Sequence, residues 1–169
     1  MESPRLLNPT SIINLNLSFK NLLNIEEIKQ YKNLVSFHII QSSFLKIELD
    51  LSGNNFKDPE ESLKALAMFP YLKKINLAYN NLNFVPPIPR NIETLILNHN
   101  SLFSLNENLV QSMRLTTLDL SNNFIVDVGI LQKISTLKYL FLKNNKVKKV
   151  MFRVVFNIQR LNPLELWLL

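Results

Sequence analysis

The sequence lacks the residues on which most catalytic and metal sites depend. Its 169 residues include no cysteine, two glycines and two histidines. Without cysteine, the chain can form neither a disulfide nor a thiolate metal site. The isolated Gly53 and Gly129 exclude a glycine-rich phosphate loop, and neither His38 nor His99 has a nucleophile and a base at a recognisable spacing. We therefore predict no enzymatic activity, no metal, no cofactor and no small-molecule substrate.

Long apolar runs are also missing. No window reaches the roughly 18 apolar residues that a membrane span needs, so we predict no membrane insertion. The N-terminal segment carries Glu2 and Arg5 without a continuous apolar stretch, which does not match a signal peptide. Apolar residues make up 47% of the chain and charged residues 19%, a balance typical of a folded domain. These features predict one domain over residues 1–169 and an intracellular location, cytoplasmic or nuclear.

The sequence is instead dominated by a repeat rich in leucine and asparagine. Four segments follow the pattern LxxLxLxxNxL, and their starts are 20, 23 and 22 residues apart; they begin at Leu72, Ile92, Leu115 and Leu137. Weaker or truncated copies come before and after them, beginning at Ile12, Leu34, Lys46 and Leu161. Seven or eight units therefore cover most of the chain.

The pattern has a physical explanation and a known counterpart. Alternate residues of a strand face opposite sides, so Leu118 and Leu120 would point inward and Asp119 outward. One unit cannot bury its leucines alone, and stacked units build a continuous core. The pattern resembles the leucine-rich-repeat family, and the 22-residue units resemble its phosphatase-1-regulator-like subtype. The resemblance implies an α/β solenoid with a parallel concave sheet of seven to eight strands and a convex face of mixed helix and extended segments.

The repeats divide the chain into an N-terminal extension (1–11), the repeats themselves (12–147) and a C-terminal cap (148–169). Only 12 residues separate the strand starts at Leu34 and Lys46, whereas repeats of this family need at least about 20. Either residues 41–47 form an unusually tight loop, which we favour, or one of these two units is not a proper repeat.

The convex connections are of two kinds. Asp58 as N-cap and Pro59 at the first helical position predict a helix start, and this helix would present an apolar face of Leu63, Leu66 and Ala67. By contrast, the prolines of the segment FVPPIPRN predict an extended connection.

The regular spacing of the repeat also places one asparagine after most of the expected strands. We expect their side-chain amides to bond backbone groups of adjacent coils that burial would otherwise leave unpaired. The asparagines of this ladder are Asn54, Asn80, Asn100, Asn123 and Asn145.

The concave sheet is the candidate binding surface. Its outward positions carry charged, polar and aromatic side chains, and exposed aromatics with charged neighbours are typical of protein-binding hot spots. We therefore predict a non-catalytic module that holds a protein partner within a larger assembly. The candidate contact residues are His38, Asp50, Lys74, Asn76, Tyr79, Ile96, His99, Asp119, Tyr139, Phe141 and Lys143.

A basic stretch near the C-terminus suggests an alternative class of partner. Six cations and no acidic residue lie between residues 143 and 160, and they equal the whole net charge of +6. This stretch is similar to the C-terminal cap of the A-prime protein of a spliceosomal ribonucleoprotein, which implies RNA phosphate contact within an RNA-protein complex, spliceosomal or ribosomal. A phosphatase regulatory subunit is a further alternative. The basic residues are Lys143, Lys146, Lys148, Lys149, Arg153 and Arg160.

Overall fold

A computed structural model describes residues 12–18, 46–54, 56 and 59–147. Six strands form one sheet whose spatial order follows the chain, and every neighbouring pair is parallel. The strands are β1 (Ile12–Asn16), β2 (Lys46–Asp50), β3 (Leu72–Asn76), β4 (Thr94–Ile96), β5 (Thr117–Asp119) and β6 (Tyr139–Phe141). Parallel neighbours in chain order require a return connection after each strand, which is the geometry of a solenoid.

The strand register explains the leucine pattern. Ile75, Leu95, Leu118 and Leu140 occupy equivalent positions of β3 to β6 and are buried, whereas the residues on either side of each are more exposed. A second layer of fully buried leucines follows the strands. Together these side chains form one continuous core between the sheet and the convex connections. The expectation that the four regular repeats form adjacent parallel strands is therefore confirmed.

The expected seven to eight strands are not confirmed: the described residues form six, and β1 pairs directly with β2. A strand beginning at Leu34 therefore does not lie between them in the sheet, and residues 34–45 themselves lie outside the described part of the chain. The strand starts at residues 12 and 46 are 34 positions apart in the sequence. The expected final strand from Leu161 lies outside the described residues.

The convex side mixes short helices with extended chain, as expected. Helix α1 (Pro59–Leu63) continues as a 3-10 helix over Lys64–Met68, and a second 3-10 helix covers Gly129–Lys133. In the first of these segments Leu63, Leu66 and Ala65 are buried, while the predicted core residue Ala67 is exposed. The change to three residues per turn keeps Leu63 and Leu66 on one face and turns Ala67 outward. The predicted cap Asp58 lies outside the described residues.

Candidate functional site

The asparagines after the strands connect neighbouring coils. The side-chain nitrogen of Asn100 donates to the carbonyls of Leu77 (2.9 Å) and Leu97 (3.0 Å). Its Oδ1 accepts from the backbone N–H groups of Asn80 (3.0 Å) and Leu82 (2.9 Å). Equivalent bonds are made by the other asparagines of the ladder, Asn54, Asn80, Asn123 and Asn145. The ladder satisfies buried backbone groups and fixes the spacing of the coils beneath the concave face.

Two rows of outward side chains run across the concave sheet. The strand register aligns a central row of Asn16, Asp50, Asn76, Ile96, Asp119 and Phe141. Two residues earlier on β2 to β6 lies an upstream row of Glu48, Lys74, Thr94, Thr117 and Tyr139. All of these side chains are half-buried or exposed, so both rows are open on the face opposite the core.

The N-terminal end of the face is acidic. Oδ1 of Asp50 accepts from the backbone N–H (2.9 Å) and hydroxyl (2.7 Å) of Ser52. On the neighbouring strand Lys74 pairs with Glu48 at 3.4 Å. Three charges therefore meet here with one carboxylate in excess, and this end favours a cationic group of a ligand.

The C-terminal end of the face is aromatic. Tyr139 is 48% exposed and Phe141 is 38% exposed, and both belong to β6, where only Leu140 between them is buried. The register places Asp119 beside Phe141 and Ile96 beside Asp119. Lys143, two residues beyond Phe141, is exposed. This end offers two large apolar surfaces next to a carboxylate and an ammonium group, a combination suited to protein contact.

A third row lies just beyond the strands and consists of residues with positive φ. We call it the left-handed strip; its members, each one residue before a ladder asparagine, are Gly53 (φ 64), Tyr79 (58), His99 (54), Asn122 (56) and Asn144 (57). The rings of Tyr79 and His99 stack with centroids 4.3 Å apart and an interplanar angle of 10°.

Asn122 and Asn144 extend this strip and were not among the sequence-predicted contact residues. Nδ2 of Asn122 lies 3.1 Å from Nε2 of His99, and Nδ2 of Asn144 donates to Oδ1 of Asn122. Their position before each ladder asparagine was the available signal, because that position recurs once per coil and adopts the left-handed conformation that favours glycine and asparagine.

The basic residues do not form one surface within the described part of the chain. Lys146 lies beyond the last ladder asparagine, and its ammonium group sits 4.9 Å from the ring centroid of Phe124. Phe124 in turn stacks on Phe103 at 5.3 Å. Lys143 is on the concave side, so the two lysines belong to different surroundings. The other predicted contacts lie outside the described residues: His38, Lys148, Lys149, Arg153 and Arg160.

The described residues contain no cluster of three or more His, Cys, Asp or Glu side chains that could hold a metal ion. Among the same residues, no helix is long and apolar enough to cross a membrane.

Comparisons with known proteins bear on the repeat assignment. A family model described as Leucine Rich repeats (2 copies) matches residues 114–152. The chain therefore contains leucine-rich repeats. A leucine-rich-repeat protein of Leptospira interrogans superimposes with a TM-score of 0.56 at 26% identity, covering 91% of this chain and 42% of that one. The leucine-rich-repeat domain of APL1B gives a TM-score of 0.61 at 24% identity over 89% and 40%.

Sequence relatives of this leucine-rich-repeat chain include osteomodulin from Bos taurus, 29% identical over 84% of the chain and 37% of that protein. Tsukushi from Gallus gallus is 35% identical over 48% of the chain and 23% of its own length, and lumican from Gallus gallus 28% identical over 60% and 31%. The chain thus spans between about a quarter and two fifths of the length of these relatives.

These relatives correct the expected location. Osteomodulin, Tsukushi and lumican are secreted proteins of the extracellular matrix, so the expectation of an intracellular protein is wrong. That expectation rested on an N-terminal segment that does not match a signal peptide and on the lack of a long apolar run. Neither the family match nor these relatives supports the expected RNA or ribonucleoprotein partner. The phosphatase-1-regulator-like subtype and the spliceosomal-type cap stay predictions.

Proposed function

We propose that this leucine-rich-repeat chain is a non-catalytic binding module that holds a protein partner on its concave sheet. The observation that carries the proposal is the exposure of Tyr139 and Phe141 on the sheet face opposite the core. Large apolar rings in contact with water lower the free energy of a complex when a partner covers them. A monomeric fold gains little from exposing both rings on the same strand.

The rest of the face supports a protein as the partner. The central row passes from Asp50 near one end, through Ile96, to Phe141 at the other. A polar and charged periphery around apolar anchors is the usual anatomy of a protein interface. The ladder asparagines hold the coils at fixed spacing, so the face is preorganised and loses little entropy on binding. The similarity to osteomodulin, Tsukushi and lumican favours a partner outside the cell.

The experiment compares proteins captured from an extracellular matrix extract by three forms of the chain. One form is unaltered, one carries Tyr139→Ala and Phe141→Ala, and the control carries Phe103→Ala and Met113→Ala. Phe103 and Met113 are 57% and 69% exposed but lie outside the strands. We expect a protein that the unaltered chain and the control both bind, and whose dissociation constant rises about 30-fold for the concave variant, corresponding to about 2 kcal/mol.

Denaturation midpoints of the three forms must agree for the comparison to count as a binding effect. The proposal would be contradicted if the Tyr139→Ala and Phe141→Ala variant still captured the partner while the Phe103→Ala and Met113→Ala control did not. The interface would then lie outside the concave sheet.

A further inference from the structure

One face of the Tyr79 ring is left open by the left-handed strip. His99 covers the other face, with ring centroids 4.3 Å apart, and Tyr79 is still 53% exposed. On the open side the preceding coil places Gly53, whose backbone N–H donates to the carbonyl of Ala78 at 2.9 Å. Gly53 has no side chain, so the strip provides nothing to stack on this face of the ring.

The size of this opening follows from the spacing of the coils. Neighbouring strands of a sheet lie about 4.8 Å apart, and the stack of Tyr79 on His99 has nearly the same separation. A planar group placed above Gly53 would therefore continue the stack in the same way. This opening, which we call the Gly53 slot, lies where a planar side chain at residue 53 would stack on the free face of the Tyr79 ring.

The surroundings of the slot select for positive charge. Asp50 lies on β2, three residues before Gly53, and Ser52 occupies only its Oδ1. In the described ranges Lys74 pairs with Glu48, and no cation comes within ion-pair distance of Asp50. A cation that enters the slot therefore gains both the negative face of the Tyr79 ring and a carboxylate that has no ion-pair partner among these residues.

The backbone of Tyr79 gives an independent reason to assign a role to its ring. Its φ of 58° is unfavourable for a bulky side chain, whereas Asn122 and Asn144 fill the same position of later coils with a residue that tolerates it. Strained residues persist where they serve a binding or switching role. An exposed tyrosine at this position costs folding free energy that an asparagine would not.

We propose that the Gly53 slot accepts the guanidinium group of an arginine side chain from the protein partner. The guanidinium group is planar, always charged and able to stack on an aromatic ring while donating two hydrogen bonds to a carboxylate. Lysine offers charge without a flat surface, and a neutral ring would not use Asp50. The inference rests on the proposed function and adds the chemistry of the partner residue at the N-terminal end of the face.

The test uses a blocked Gly-Arg-Gly peptide as the probe and two-dimensional amide NMR of the nitrogen-15-labelled chain as the readout. Matched peptides carry citrulline, which is neutral and of the same shape, or lysine in place of arginine. We expect millimolar arginine peptide to shift the backbone amides of Gly53 and Tyr79, with at least about fivefold weaker binding of the other two peptides. Equal shifts from all three peptides, or shifts confined to other residues, would overturn the proposal.

Variants of the chain test the two sides of the slot. Gly53→Asn fills it with a residue that tolerates positive φ, and Asp50→Asn removes the charge. The latter keeps an oxygen for Ser52, as Oδ1 of Asn76 accepts from the backbone N–H of Ala78 at 3.1 Å. Each should weaken binding of the arginine peptide at least about fivefold, while Phe103→Asn leaves it unchanged. Undiminished binding by folded Gly53→Asn, or by Tyr79→Asn if the first variant does not fold, contradicts the assignment.

The peptide measurement is separate from the test of the proposed function. The Tyr139→Ala and Phe141→Ala variant should bind the arginine peptide normally, because its substitutions are on β6 and the slot is beside β2 and β3. If Gly53→Asn loses peptide binding and the Tyr139→Ala and Phe141→Ala variant still captures the partner, the proposed slot stands and the proposed partner site at the β6 rings is refuted. The reverse result would refute the slot alone.

Discussion

The side-chain nitrogen of Asn144 donates a hydrogen bond of 2.7 Å to Oδ1 of Asn122 on the preceding coil. This bond fixes the orientation of the Asn122 amide and directs its Nδ2 toward Nε2 of His99, 3.1 Å away. An amide nitrogen can only donate, so Nε2 of His99 must be the acceptor. The last two coils thereby hold the ring that stacks on Tyr79.

The first prediction is the tautomer of His99. When neutral, the ring should carry its proton on Nδ1, and long-range proton–nitrogen NMR correlations distinguish this form from the Nε2–H form. Asn122→Asp replaces the donor with a second acceptor oxygen and should move the proton to Nε2. An Nε2–H ring in the unaltered chain would mean that the amide chain runs in the opposite direction.

The second prediction concerns the asparagine ladder. Asn100→Ala leaves two backbone N–H groups and two backbone carbonyls without their hydrogen-bond partner at a buried position. We expect the free energy of unfolding to fall by about 3 kcal/mol. Asn91 is the control: it is exposed and makes one bond, from Nδ2 to the carbonyl of Pro70. Urea denaturation should show less than about 1 kcal/mol for Asn91→Ala. Equal losses for the two variants would be inconsistent with a structural ladder.

The third prediction tests the backbone at Tyr79. Tyr79→Asn should change the free energy of unfolding by less than about 1 kcal/mol, because relief of the left-handed conformation offsets the lost stack with His99. Tyr79→Val should be destabilised by more than about 1 kcal/mol, since a β-branched residue is strongly disfavoured at positive φ. Chemical denaturation of both variants provides the comparison. Equal tolerance of valine and asparagine would show that residue 79 is not left-handed in solution.

Much of the fold could be predicted because the repeat period and strand alternation are written in the sequence. The leucines at positions such as Leu95 and Leu118 must share one face, and this alone orders β3 to β6. At Leu34 apolar residues match the motif, but only 12 residues separate this position from Lys46, and the sheet has no strand between β1 and β2. The short interval was the signal that one of these two units is not a proper repeat, the alternative that the sequence left open.

The candidate site could be predicted only in part. The register predicts which residues face outward, so Tyr139 and Phe141 were accessible to sequence reasoning. The roles of Asn122 and Asn144 depend on bonds between coils and on positive φ angles, neither of which a single repeat displays. Ala67 shows the same limit: a helical period predicts its burial, and the change to a 3-10 turn exposes it.

Photo-crosslinking tests the central claim, that a protein partner lies on the concave sheet, most directly. Thr117 belongs to the upstream row, between Thr94 and Tyr139, whereas Met113 is exposed outside the strands. A benzophenone-bearing residue placed at each position in turn should capture the partner from Thr117 and leave it uncaptured from Met113. Crosslinks to the partner from Met113 and none from Thr117 would contradict the claim.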